Sequence, residues 1–219
     1  MGTRPKESID ARLLAAQVAI DNALGDSGIL TALTTYGYNT TKINAGKTLL
    51  TSAQELFNKQ KVEYGEQYEA SEKVEKAWDE ADKAYMKAIK VARVALKDNV
   101  KAQASLMLSG ERKRTLSGWL EQADAFYTNL IKDTDLMNKM SEYGYNATKL
   151  NNELALVKSV KDVNLEQEKE KGEAQDATKK RDAKMDELDR WMSDFKEIAF
   201  VALDENPQWL EKLGFSGIE

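Results

Sequence analysis

Tyr36-Gly37-Tyr38-Asn39 returns as Tyr143-Gly144-Tyr145-Asn146, and Thr41-Lys42-Ile43-Asn44 returns as Thr148-Lys149-Leu150-Asn151. From position 36 to position 143 the spacing is 107 residues, about half of a 219-residue chain. Working outward at that offset, similarity continues without a gap. Ile9, Leu13, Ala16 and Asn22 meet Leu116, Leu120, Ala123 and Asn129, and Gly65-Glu66 meets Gly172-Glu173. Val94-Ala95-Leu96 meets Val201-Ala202-Leu203. An ungapped match of this length implies two copies of one structural unit, 1–107 and 108–219, too few for a solenoid.

The units read as helical throughout. Pro5 and Pro207 are the chain's 2 prolines, so some two hundred residues run without a helix breaker of that kind. Ile9, Leu13, Ala16, Ile20 and Leu24 recur at steps of three and four, as do Leu116, Leu120, Ala123, Tyr127 and Ile131. Asp26 or Ser27 caps a short second helix. In YGYN, the glycine takes a positive φ at the end of that short helix and the asparagine starts the next. Tyr38 then touches Leu33 behind it and Ile43 ahead, and Tyr145 touches Met140 and Leu150. Tyr36, Gly37, Tyr38, Asn39, Tyr143, Gly144, Tyr145 and Asn146 are therefore read as a structural joint. The competing reading makes their hydroxyls and amides a ligand site.

Residues 40–98 and 147–205 keep an unbroken heptad register. One row runs Ile43, Leu50, Phe57, Tyr64, Ser71, Trp78, Tyr85, Ala92. Two architectures fit: one helix of roughly 59 residues, or a hairpin ending its first arm at Gly65 or Gly172. The middle of the second copy's seam is polar (Asn164, Gln167, Lys171, Thr178, Arg181), which suits an exposed hairpin tip and favours the hairpin. The expected fold is all-α: two tandem helical units packed as one pseudo-two-fold bundle domain of long antiparallel helices with short connecting helices. Asn206-Pro207 reads as a cap and first helical residue of a last short helix, with Asn99–Leu108 its counterpart.

Composition excludes more function than it suggests. Cys 0 removes disulfides and thiolate chemistry, and His 0 removes the commonest general base and metal ligand. A ferritin-like di-iron site needs Glu-x-x-His pairs and fails on that count. Asp79-Glu80-Ala81-Asp82 and Asp186-Glu187-Leu188-Asp189 have the chemistry for a hard cation. Ala81 and Leu188 lie on a core row, however, so the acids read as a solvated, lysine-paired face. No catalytic, cofactor-binding or metal-binding residue is assigned, no cofactor is expected, and the chain reads as a non-enzyme. The formal charge of −5, with +1 on residues 1–107 and −6 on 108–219, gives no footprint for nucleic acid. Arg112-Lys113-Arg114 is too short to change that and reads as an exposed helix start or linker. The longest apolar run, 198–203, is far short of a membrane span. Met1–Glu7 has no apolar h-region, so a cytoplasmic location is expected, and the two Asn-x-Thr triplets read as coincidental rather than glycosylated.

Ser117-Gly118-Trp119-Leu120-Glu121-Gln122, Trp191-Met192-Ser193-Asp194-Phe195 and Asn206-Pro207-Gln208-Trp209-Leu210-Glu211-Lys212-Leu213-Gly214 resemble bacterial all-helical proteins of uncharacterised function. The resemblance covers mainly the second unit and implies a helical fold and bacterial origin, with no activity to transfer. The first unit departs from it, with Arg12 in place of Trp119 and Ala84 in place of Trp191. Two functions remain open: a protein-interaction or scaffolding bundle, with self-association or a protein partner, and a carrier of a small apolar ligand in a core rich in aromatics and methionine.

Overall fold

The computed structural model describes residues 7–215. Those residues form eight helices and no strand: α1 (Ile9–Gly25), α2 (Ser27–Thr35), α3 (Thr40–Ala95), α4 (Val100–Ser105), α5 (Leu116–Lys132), α6 (Thr134–Ser141), α7 (Ala147–Ala202) and α8 (Pro207–Lys212). The starts of α5 to α8 lie 107 residues beyond those of α1 to α4.

Local chemistry sets the breaks. Ser8 and Thr115 cap α1 and α5 through their hydroxyls. Asp26 and Asp133 each accept two backbone N–H bonds at the starts of α2 and α6. Asn99 caps α4, whereas Asn206 makes no side-chain cap and α8 relies on Pro207, whose fixed φ is already helical. Each such cap contributes about 1 kcal/mol.

The hairpin expectation is corrected: α3 and α7 are single helices of 56 residues each. Gly65 and Gly172 lie inside them, and the positive-φ glycines are instead Gly37, Gly110, Gly144 and Gly214. The polar seam does not need a tip to satisfy it, because its members pair with one another. Arg181 Nη1 donates to Gln60 Oε1 at 3.0 Å, and Gln167 Nε2 donates to Ser71 Oγ at 3.0 Å. Small residues, Ala70 and Val74 on α3 and Ala174 and Ala177 on α7, supply the burial that remains there.

Two compact units result, and they do not follow the boundary between sequence halves. Unit 1 takes the described residues up to Tyr64 and from Glu173 onward, and unit 2 is Gly65–Gly172. Within unit 1, α1, α2 and the start of α3 bury Leu13, Ile20, Ile29, Leu33 and Ile43 against Phe195, Leu203 and Leu213 from α7, its C-terminal turn and the turn after α8. Within unit 2, α5, α6 and the start of α7 bury Phe126, Leu130, Met140 and Leu150 against Tyr85, Ile89 and Leu96 from the end of α3. In unit 1, Gly46 faces Trp191 and Gln60 faces Arg181, so the two long-helix segments run antiparallel. In unit 2, Ser71 faces Gln167 and Lys87 lies near Glu153, with the same sense. Each fully buried leucine, isoleucine or phenylalanine contributes roughly 1.5–3 kcal/mol. Neither sequence half therefore holds a complete core.

A short helix from the other half also closes each unit. Asn22 Nδ2 on α1 donates to the Lys212 carbonyl of α8 at 2.6 Å, and Asn129 Nδ2 on α5 donates to the Ser105 carbonyl of α4 at 2.8 Å.

A Cβ added at Gly65 or Gly172 meets nothing within 4 Å, and both backbones are helical. Gly65→Ala and Gly172→Ala are each expected to stabilise the protein by up to about 1 kcal/mol, read as a higher denaturation midpoint. A loss of stability would mean that the glycine needs a conformation alanine cannot adopt.

Candidate functional site

The repeated motif splits into residues that build a joint and residues that face solvent. Gly37 has φ 84° and Gly144 has φ 80°. Gly37 N–H donates to the Thr34 carbonyl and Tyr38 N–H to the Leu33 carbonyl, the paired bonds of a Schellman turn. Gly144 and Tyr145 repeat them onto Ser141 and Met140. Asn39 Oδ1 accepts from Lys42 N–H at 3.0 Å, and Asn146 Oδ1 from Lys149 N–H at 2.9 Å. Tyr38 and Tyr145 are buried, and burial raises both phenol pKa values. The Lys42 and Lys149 ammonium groups sit 4.0 and 3.8 Å from their ring centroids. Tyr36 and Tyr143, by contrast, are exposed. The motif brings its glycine, second tyrosine and asparagine to one turn and leaves its first tyrosine outside.

Comparing the units at the 107-residue offset exposes two slots that sequence reading missed. The first lies between the α1-type helix and a long helix. Trp119 Nε1 donates to Asp82 Oδ1 at 2.6 Å in unit 2. In unit 1 the same two positions are Arg12 and Asp189, and the guanidinium donates to both carboxylate oxygens. Asp82 and Asp189 belong to the acidic stretches expected to be solvated. The expectation fits Asp79, which pairs with Lys83, and Glu187, which pairs with Lys184, but not these two. The signal was available: a repeated aspartate faces two different residue types that share an N–H donor.

The second slot is deeper. In unit 1, a Cβ on Gly46 would overlap the Trp191 indole, which stacks on Phe195 with centroids 5.1 Å apart. The corresponding positions in unit 2 are Glu153 and Ala84, and Tyr127 stands where unit 1 has Ile20. There the Tyr127 hydroxyl donates to Glu153 Oε2 at 2.8 Å. A tyrosine–carboxylate pair thus occupies in one unit the positions matching Ile20 and the glycine that admits an indole in the other. Burial raises the Glu153 pKa, while the Tyr127 hydrogen bond, Lys149 and Lys87 hold it down. Burial and the neighbouring carboxylate push the Tyr127 phenol far up.

The aromatic core of unit 2 is filled by its own side chains. Tyr85, Phe126 and Tyr127 are fully buried, and Phe126 meets Tyr127 edge to face at 5.0 Å. Beside it opens a cleft of about 720 Å³ lined by Trp78, Asp79, Asp82, Met86, Arg112 and Trp119 among others. Arg112 is no free linker residue. Its guanidinium donates to the Tyr85 hydroxyl at 2.9 Å and to the carbonyls of Met107 and Ser109. It thereby clamps the turn after α4, where Met107 has φ 48°.

No protein-family model, curated protein or solved structure matches the chain. No described helix is long and apolar enough to cross a membrane.

The Glu153 geometry has a signed pH consequence. A carboxyl whose folded pKa is raised contributes stability that is full below its unfolded value and is lost as pH rises through the folded one. Glu153→Gln removes the titrating proton and keeps an acceptor for Tyr127. Relative to wild type, the variant is expected to gain stability as pH rises from the ordinary glutamate value of about 4.3 upward. A stability difference that stays flat over that range, followed by urea denaturation, would contradict it.

Proposed function

We propose that the chain is a non-enzymatic protein-interaction module that offers the same tyrosine–valine contact once in each unit. Exposed apolar side chains are common and single ones need no explanation. Several of those here have polar partners at the 107-residue offset: Leu14 with Glu121, Val62 with Lys169, Tyr68 with Gln175 and Leu165 with Asn58. Two positions differ, and they carry the reading. Tyr36 and Tyr143 are 52% and 51% exposed, and Val201 and Val94 are 52% and 59% exposed. Both are large, apolar and exposed in both halves.

In unit 2, Val94 and Tyr143 line one shallow groove of about 360 Å³ together with Val100. Unit 1 presents Tyr36 and Val201 at the matching positions. Tyr36 and Tyr143 enter their turns through backbone N–H bonds to Leu33 and Met140, but their side chains join neither core, so packing leaves those side chains without a role. A tyrosine is well suited to such a contact, because it supplies large amphipathic area at low conformational cost. Two equivalent contacts in one chain support a partner stoichiometry of two.

Tyr36→Ser and Tyr143→Ser, singly and together, test this in protein purified from its natural host and weighed by native mass spectrometry. The double variant is expected to keep its melting temperature within about 2 °C, as exposed substitutions do, and to lose the partner. Each single variant is expected to lose one of two copies. A double variant that retains its partner would sink the reading.

A further inference from the structure

We infer that the cleft of unit 2 is a binding site for a guanidinium group, supplied either by a small molecule or by an arginine side chain of a peptide. The same slot in unit 1 holds a cation. There Asp189 is met by the Arg12 guanidinium, which donates to both of its oxygens and compensates its charge. In unit 2 the carboxylate remains as Asp82, but the cation is gone. Trp119 takes its place, donates one N–H to Oδ1 at 2.6 Å and brings no charge. Among the described residues Asp82 forms no ion pair.

Of the cations that line the cleft, Arg112 is committed elsewhere, to the Tyr85 hydroxyl and the carbonyls of the α4 turn. Lys113 pairs with Glu121. Glu75, one helical turn before Asp79, also lines the cleft and forms no ion pair among the described residues. On the wall formed by α3, Glu75 and Asp82 thus carry no ion pair among the described residues, while Asp79 pairs with Lys83 and Arg112, Lys113 and Arg114 line the same cleft.

The second difference is aromatic. Trp78 and Trp119 meet with centroids 6.0 Å apart at 58°, and both line the cleft. At the matching positions unit 1 has Met185, fully buried, and Arg12. A guanidinium is planar and weakly hydrated; it stacks on indole faces while its edge donates to a carboxylate. An indole corner beside an aspartate that has no ion pair among the described residues meets both demands, and the volume falls within the usual range for small-ligand sites. The ligand's cation would stand to Asp82 as Arg12 stands to Asp189.

The experiment is a calorimetric titration of the full chain with three probes: agmatine, a short peptide with one internal arginine, and the agmatine analogue in which a neutral urea replaces the guanidinium. Saturable binding of agmatine or the peptide, with the urea analogue at least about tenfold weaker, is expected. The tighter of the two guanidinium probes identifies the source. Two variants locate the site. Trp119→Arg installs the unit 1 solution in unit 2 and is expected to fold and to abolish binding. Asp82→Asn keeps an acceptor for the Trp119 indole, removes the charge, and is expected to weaken binding about tenfold. The inference is overturned by no saturable binding of either guanidinium probe up to about 10 mM. Equal binding of the urea analogue, or binding unchanged in Asp82→Asn, overturns it equally.

Discussion

The unbroken hydrogen-bond ladder of α3 and α7 through Gly65 and Gly172 is the constraint on which the other features depend. A helix that does not stop cannot fold back on its own first arm, so its apolar face has to be covered by other elements. In unit 1 the start of α3 is covered by α1, α2 and the end of α7, and in unit 2 the end of α3 is covered by α5, α6 and the start of α7. The cost is a helical glycine at the middle of each long helix, Gly65 in α3 and Gly172 in α7, about 1 kcal/mol each relative to alanine. Against that stand caps of similar size at the helix starts and a buried core in each unit of some twenty residues.

The joint is the second device. A long helix is useful only if the chain enters it at a fixed angle, and Schellman turn, buried tyrosine and asparagine cap together set that entry. Tyr38 packs on Phe195 at 5.4 Å and Trp191 at 6.0 Å, both from α7, so the joint is tied to the other half of the chain as well as to its own helix. Tyr145 lies instead near Tyr127 and Glu153, and its phenol pKa is raised by burial and then by the Glu153 carboxylate. One turn sequence therefore serves two different cores.

Much of this was legible in the sequence. The all-helical class followed from missing prolines and the 3.6-residue period, and the turn chemistry of Gly37, Asn39 and Asp26 could be read residue by residue because capping is local. The long helices were misread for a physical reason. Polarity in a seam has two meanings, exposure at a tip or pairing across a helix pair, and only coordinates separate them. Even so, one local signal favoured the continuous helix. Gly37 is followed within two residues by the cap Asn39, whereas Gly65-Glu66-Gln67 and Gly172-Glu173-Ala174 offer no capping residue for a returning arm. The Trp119–Asp82 and Tyr127–Glu153 pairs could not be found from spacing, because each joins residues brought together by packing. They became visible on asking what the same position does in the other unit.

Each compact core is completed by the opposite half of the chain, and expressing the halves separately tests this most directly. Residues 1–107 and 108–219 alone, held dilute enough to remain monomeric, are expected to show no cooperative unfolding transition, and mixing them in equal amounts is expected to restore one. A monomeric 1–107 fragment that unfolds cooperatively, with the stability of an intact domain, would contradict the account.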